Sequence, residues 1–290
     1  MNKQKFFGYI ELTKPSIMRL VLVATALGFY FGDGGVHHPW ILFYTLLGAG
    51  LTCAGAAALN HYIERDVDAL MNRTKNRPLP SGLIAPDQAL IFGVSLILSG
   101  VIVLCIWVNL LTSFLSLLTA FLYVLVYTPM KKMSWLNTTI GAIPGAIPPL
   151  GGWAAARGEL GVEAWVLFLI LFTWQHPHFY SIAWIFREDY KKAGFKMLPV
   201  VYPDSWFTFA QIITFTFALI GFSIVPSMIG MSGQIYFWVI VLVYIPLIPP
   251  VYQMGLLFFG TLLGQFNFVW GQAKKRGRFL MRPFRKSTIL

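Results

Sequence analysis

Asn60, Glu64 and Asp68 stand four residues apart, directly after an apolar run, and Arg73, Lys75 and Arg77 follow closely. On a helix this spacing places three oxygen-bearing side chains in one slowly drifting stripe. Oxygen donors suit a hard cation such as Mg²⁺, which leaves coordination positions to substrate phosphates. The three bases supply charge for a phosphate-bearing group. A second acidic pair, Glu188 and Asp189, follows another apolar run. With Asp66, the two clusters hold five of the eleven acids in the chain. If both clusters meet on one membrane face, cations held between them would clamp a diphosphate and stabilise it as a leaving group. Asn60, Glu64, Asp68 and Asp189 are the candidate metal ligands, and Glu188 joins them as a candidate catalytic residue. The plainer alternative is that these acids pair with neighbouring Arg and Lys residues at the membrane interface.

The elements that must position these groups are membrane helices. The chain has 290 residues, 57% hydrophobic and only 11% charged. Soluble domains average about 25% charged residues, so the fold class is an all-α polytopic membrane protein. Apolar runs of spanning length lie near 17–32, 41–60, 88–108, 111–130, 137–156, 164–186, 206–229 and 235–262, the last interrupted by Pro246, Pro249 and Pro250. A ninth candidate follows Gly264. The expected architecture is a bundle of eight helices, or nine, around a central cavity open to the cytoplasm. The acidic clusters are expected in loops at the ends of spans 2 and 6. With eight spans and a cytoplasmic N-terminus, only Arg157 of the 22 Lys and Arg residues falls outside, as the positive-inside bias requires. Residues 1–270 then form the intramembrane domain and 271–290 a basic cytoplasmic tail. The formal charge of +11 reads as topology plus attraction to anionic lipid, and no basic soluble domain exists to bind nucleic acid. No cleavable leader is expected, and Cys53 and Cys105 read as packing residues.

Several stretches carry a resemblance. Asn60-x3-Glu64-x3-Asp68 with Met71-x-Arg73-Thr74-x2-Arg77-Pro78 resembles the first signature of the UbiA superfamily of intramembrane aromatic prenyltransferases. Leu12-Thr13-Lys14-Pro15, Tyr127-Thr128 with Lys131-Lys132, Asn137 to Gly141, Gly145 to Pro148 and Gly151-Gly152-Trp153 agree with it. Trp174 to Phe179, Glu188-Asp189-Tyr190 with Ala193-Gly194, and Met197 to Val200 point to the haem-modifying branch. The resemblance covers roughly residues 10 to 200. Many members carry Asp where this chain has His61 and Glu64. Glu64 keeps a carboxylate, whereas His61 removes one oxygen ligand.

This resemblance implies a Mg²⁺-dependent enzyme of the cell inner membrane, its active site facing the cytoplasm. It joins the farnesyl group of farnesyl diphosphate to a vinyl group of haem B and adds water, giving haem O. Haem B is substrate, not a fixed cofactor. Arg73, Lys75 and Arg77 would meet the diphosphate, and Lys131 and Lys132, with Tyr127, would meet the diphosphate or the haem propionates. Haem iron favours imidazole. His176 and His178 flank Pro177 within a span, where a bent helix can line a cavity, so they are the candidate haem contacts, His178 foremost. The bland alternative is a buried histidine satisfying a hydrogen bond. A haem A synthase or an oxidase-assembly factor is the implied protein partner. Two other functions compete: prenylation of a small aromatic acid or quinone precursor, and a non-catalytic membrane haem carrier. The acidic motifs oppose the carrier, which needs no diphosphate clamp.

Overall fold

The structure is a computed structural model that describes residues 3–239. Every regular element among them is helical. In chain order these are α1 (Lys3–Leu12), α2 (Pro15–Asp33), α3 (Pro39–Asp68), α4 (Pro86–Trp107) and α5 (Leu110–Phe121). A π-helical turn (Leu122–Tyr127) and α6 (Thr128–Met130) continue α5. Then come α7 (Asn137–Arg157), α8 (Val162–Ile185), α9 (Arg187–Lys192), α10 (Leu198–Val201) and α11 (Ser205–Met228). All of these belong to one compact unit ending at Met231. A six-residue helix, α12 (Gln234–Val239), belongs to a second unit that begins at Ser232. The expected eighth span beyond Val239, the ninth candidate and the basic tail lie outside the described residues.

Among the described residues, five helical stretches are long and apolar enough to cross a bilayer: α2, α3, α4, the run Leu110–Met130 and α11 from Trp206. α7 and α8 have comparable length, but their Gly, Pro, Asn, Gln and His residues dilute the apolar character. The starts follow local chemistry. Pro15, Pro39 and Pro86 open α2, α3 and α4, where a missing N–H costs nothing. The Asn109 side chain accepts from Thr112 N at 2.8 Å and caps α5. α3 runs eight residues past its expected apolar end at residue 60. Glu64 and Asp68 therefore sit on the helix itself and not in a loop. Thirty residues of helix measure about 45 Å, against a hydrocarbon core of about 30 Å, so the last turns of α3 have length to spare at its polar end.

α7 stands at the centre of the first unit, packed on α2, α5 and α8, while α3 pairs mainly with α4 and α8 with α11. Bare backbone makes the closest crossings possible. A Cβ on Gly152 of α7 would fall 1.9 Å from the Thr25 carbonyl oxygen of α2, and one on Gly55 of α3 would fall 2.5 Å from Gly93 O of α4. Pro144, Pro148 and Pro149 lie within α7 and cannot donate backbone hydrogen bonds. Nearby, Gln175 Nε2 of α8 donates to Ala142 O at 3.0 Å, tying the interrupted helix to its neighbour. Leu20, Val23 and Leu27 on α2 and Ile91, Leu98, Ile102 and Ile106 on α4 are exposed, an apolar exterior of the kind lipid covers.

Candidate active site

The polar end of α3 is the most heavily charged place in the interior. Asn60 and Asp68 are fully buried, and Glu64 and His61 nearly so. Each of the three oxygen-bearing side chains holds one base from a different segment. Lys14 Nζ donates to Asn60 Oδ1 at 2.5 Å, Lys131 Nζ to Glu64 Oε1 at 2.7 Å, and Arg77 Nη1 to Asp68 Oδ2 at 2.8 Å. The stripe read from the i, i+4, i+8 spacing is thus a row of three base–oxygen pairs. With Lys14 protonated, three cations against two carboxylates leave one net positive charge.

The supports of this row come from two segments, the stretch 123–128 and the loop after α3. Asn60 Nδ2 donates to Thr128 Oγ1 at 3.1 Å, and Thr128 Oγ1 donates to Tyr123 O at 2.8 Å. That carbonyl also accepts the Thr128 backbone N–H, the wide i→i+5 bond of the π-helical turn. Thr74 Oγ1 donates to the Asp68 backbone carbonyl at 2.8 Å, closing the loop that returns Arg77 to Asp68. Lys131 Nζ also lies 4.7 Å from the Tyr127 ring centre, a cation–π contact. Burial lowers the Lys131 pKa, but Glu64, Tyr127 and Tyr123 together outweigh that effect and hold it above the usual lysine range. Burial lowers the Lys14 pKa, aided by the charge on Arg77, to about 7.

The second motif comes to the same end of the bundle. Val67 and Met71 form one buried cluster with Ala183, Ala193, Phe195 and Met197, with Tyr190 packed against it. Arg73 Nη2 donates to Tyr190 Oη at 3.3 Å, and the guanidinium lies 5.0 Å from the Phe186 ring centre. α8 ends at Ile185, and a break at Phe186 starts α9, which carries Glu188 and Asp189. Glu188 is exposed and pairs with Arg187 at 3.5 Å, whereas Asp189 is half-buried. Lys75 and Lys132 are exposed on the surrounding surface.

The two histidines of α8 differ. His176 is fully buried. Its Nδ1 faces Phe172 O at 2.9 Å and must carry the proton, so Nε2, 3.2 Å from Thr139 Oγ1, accepts from that hydroxyl. Its ring stacks on Phe215 with centres 3.6 Å apart. Both nitrogens are thus engaged within the bundle. His178 is half-buried and stacks on Trp174, ring centres 4.8 Å apart.

The donor set fits a hard divalent cation. Asp68 Oδ1 is buried without a hydrogen-bond partner, so a carboxylate lone pair points into the site. Among the described residues no three His, Cys, Asp or Glu side chains converge as a cage. That suits Mg²⁺, which uses one or two carboxylates and takes its other ligands from water and phosphate.

Sequence reasoning did not place Lys14 here. Its signal was a lysine before a proline, which equally marks an ordinary cytoplasmic anchor. Thr128 and Tyr190 were parts of motif stretches with no role attached.

Buried acids paired with bases at one end of a helical bundle make this a charged site of the kind that suits an anionic ligand. The chain belongs to the UbiA prenyltransferase family, whose model matches residues 21–264. It is 49% identical over 238 residues to a protein named protoheme IX farnesyltransferase from Solibacter usitatus, covering 79% of this chain and 81% of that one. It is 41% identical over 234 residues to the protein of that name from Aquifex aeolicus, covering 80% of each. To the Cytophaga hutchinsonii protein of the same name it is 37% identical over 278 residues, covering 96% of this chain and 92% of the other. The fold is similar to that of digeranylgeranylglyceryl phosphate synthase, with TM-score 0.69 and 19% identity, covering 96% of this chain and 95% of that one. It is also similar to a UbiA homologue from Archaeoglobus fulgidus bound to DMAPP and Mg²⁺, with TM-score 0.65 and 18% identity, covering 89% and 87%.

Proposed function

We propose that this chain joins the farnesyl group of farnesyl diphosphate to a vinyl group of haem B, giving haem O. The row of base–oxygen pairs at Asn60, Glu64 and Asp68 carries the reading. It occurs in a chain whose relatives at 37–49% identity bear the name protoheme IX farnesyltransferase.

Asn60, Glu64 and Asp68, with Asp189 from the second motif, would hold Mg²⁺. When bound, it neutralises the diphosphate and makes it a better leaving group. Lys14, Lys131 and Arg77 already stand within bonding distance of the ligand oxygens. An arriving diphosphate offers them new acceptors and releases those oxygens for the cation. Arg73, Lys75 and Lys132 lie further out and draw the anion in. The farnesyl C1–O bond breaks with its electron pair leaving on the diphosphate. The vinyl carbon of haem B then bonds to C1, and the carbon left electron-deficient takes hydroxide from water, which loses a proton. A dry apolar interior keeps water from the allylic cation before the vinyl group reaches it. Glu188 stands at the mouth of the site. His178, with its ring on Trp174, contacts the haem, and His176 shapes the same wall from inside the helix.

The rest of the arrangement follows from charge. The chain forms eight spans around a cavity open to the cytoplasm, with the intramembrane domain ending near residue 270 and the basic tail inside. It resides in the inner membrane and hands its product to a haem A synthase or oxidase-assembly factor.

The test is to express the chain in cells that make haem B but no haem O, then extract the haem and weigh it. A mass gain of one farnesyl group plus one hydroxyl group is expected. Unchanged haem B, or a prenylated small aromatic acid in its place, would overturn the reading.

A further inference from the structure

His61 has no place in the mechanism above, yet it sits inside the same stripe. It is 2% exposed, and neither ring nitrogen has a hydrogen-bond partner. An imidazole buried in this way is costly unless something else engages it. Its Nδ1 lies 3.9 Å from Asp68 Oδ2, the oxygen that accepts from Arg77 Nη1 at 2.8 Å. Asp68 in turn keeps Oδ1 unpartnered. The two residues are seven apart, which on a straight helix brings them within about 20° of one face. Asp68 therefore lies between Glu64 and His61 around the helix, and the oxygen stripe continues into a nitrogen donor.

The separation matches a shared ion. Two ligands each about 2.1 Å from one cation lie about 3.0 Å apart at right angles and about 4.2 Å apart when opposed. The observed 3.9 Å falls inside that interval, so a common cation asks for no movement of α3 once the diphosphate draws Arg77 away from Oδ2. It is too long for a direct hydrogen bond, which removes the simplest structural role for the pair. A cation held by the imidazole and the Asp68 carboxylate then gives the unpartnered ring a partner.

We infer that His61 donates a ring nitrogen to the divalent cation held with the diphosphate, which makes the site a mixed nitrogen–oxygen one. The inference rests on the proposed cation–diphosphate site and says which cations it accepts. Oxygen donors favour Mg²⁺, whereas imidazole suits borderline ions, and Mn²⁺ accepts both. The site accordingly favours Mn²⁺ over Mg²⁺ more than an all-oxygen version would.

Pulsed electron paramagnetic resonance on Mn²⁺ bound to the full chain in lipid nanodiscs, with inorganic diphosphate present, tests this without turnover. The expected signal is a nitrogen coupling that changes when histidine is labelled with ¹⁵N in the ring. In His61→Gln the coupling disappears and Mn²⁺ affinity falls about tenfold, while Mg²⁺ affinity, read by competition, changes less than about twofold. Mn²⁺ bound with diphosphate but lacking histidine coupling overturns the inference and leaves the cation–diphosphate reading intact. Coupling that survives in His61→Gln assigns the nitrogen to another histidine and also overturns it. Mn²⁺ that fails to bind in the presence of diphosphate defeats the underlying reading, and the inference with it. Should His61→Gln fail to fold, His61→Asn serves in its place, and absence of coupling in the labelled native chain still decides against the proposal.

Discussion

Lys14 Nζ reaches Asn60 Oδ1 at 2.5 Å across 46 residues of chain, and Lys14 is the one non-glycine residue with positive φ among the described residues, at 48°. A left-handed backbone costs a side-chain-bearing residue on the order of 1–3 kcal/mol and persists where surrounding structure enforces it. Here it turns the chain between α1 and α2 and aims the ammonium at α3.

That placement makes the protein's stability depend on pH. The folded Lys14 pKa, about 7, lies below its ordinary 10.5. Between those values the unfolded chain holds the extra proton, so stability rises with pH across the interval and levels off above it. The melting temperature of the substrate-free protein in detergent should climb from pH 7 toward pH 10. Lys14→Met should flatten that climb. An equal slope in the variant would refute the assignment.

Asp68→Asn should lower haem O formation by about 100-fold or more, the usual cost of losing a charged group at a reacting centre. The shape is kept, so the variant should still insert and run as a single species on size exclusion. Extracted haem O per unit of protein is the measurement, and near-normal yield at low Mg²⁺ would remove Asp68 from the metal site.

Gly151 and Gly152 should separate cleanly. Alanine at Gly152 would drive its Cβ to 1.9 Å from Thr25 O and 2.7 Å from Phe29 N, prying α7 from α2; at Gly151 nothing lies within 4 Å. Gly152→Ala should lose about 1–3 kcal/mol or more, whereas Gly151→Ala should match the parent or gain up to about 1 kcal/mol from helix propensity. Thermal unfolding in detergent compares the two.

The two motifs should divide the work. Asp189→Asn should lower turnover with little change in haem affinity, and His178→Ala should weaken haem binding first. Optical titration of haem beside steady-state rates distinguishes them, and the reverse pattern would overturn the assignment of His178 to the haem.

Both termini should be cytoplasmic. A reporter fused after Leu290 should be active only inside the cell; activity confined to the outside would reveal an odd number of spans.

The sequence by itself determined which segments become helices. Apolar length and flanking Pro, Gly and Asn residues are local properties, and the first seven expected runs appear as helical stretches within a few residues of their expected ends. α3 is the informative exception. Hydrophobicity stops near Asn60, but the helix continues to Asp68 because backbone hydrogen bonding does not require apolar side chains. The spacing of Asn60, Glu64 and Asp68 likewise held the stripe in advance, since helical periodicity is fixed by geometry.

Only the tertiary structure decided who faces that stripe. Lys14, Arg77 and Lys131 are ordinary basic residues in sequence, each readable as an interface anchor; the loop after α3 folds Arg77 back, and two distant segments bring Lys14 and Lys131, to three adjacent oxygens. The same holds for the histidines. Sequence set His61 in the charged first motif and, through the resemblance, put His178 ahead of His176, but it could not show which imidazole finds a partner. Packing gave His176 two hydrogen-bond partners and His178 a stacked Trp174, and left His61 buried beside Asp68 with none. Contacts between distant segments depend on how helices cross, and crossing is set by the shapes that meet, such as Gly152 against Thr25, which a linear pattern does not carry.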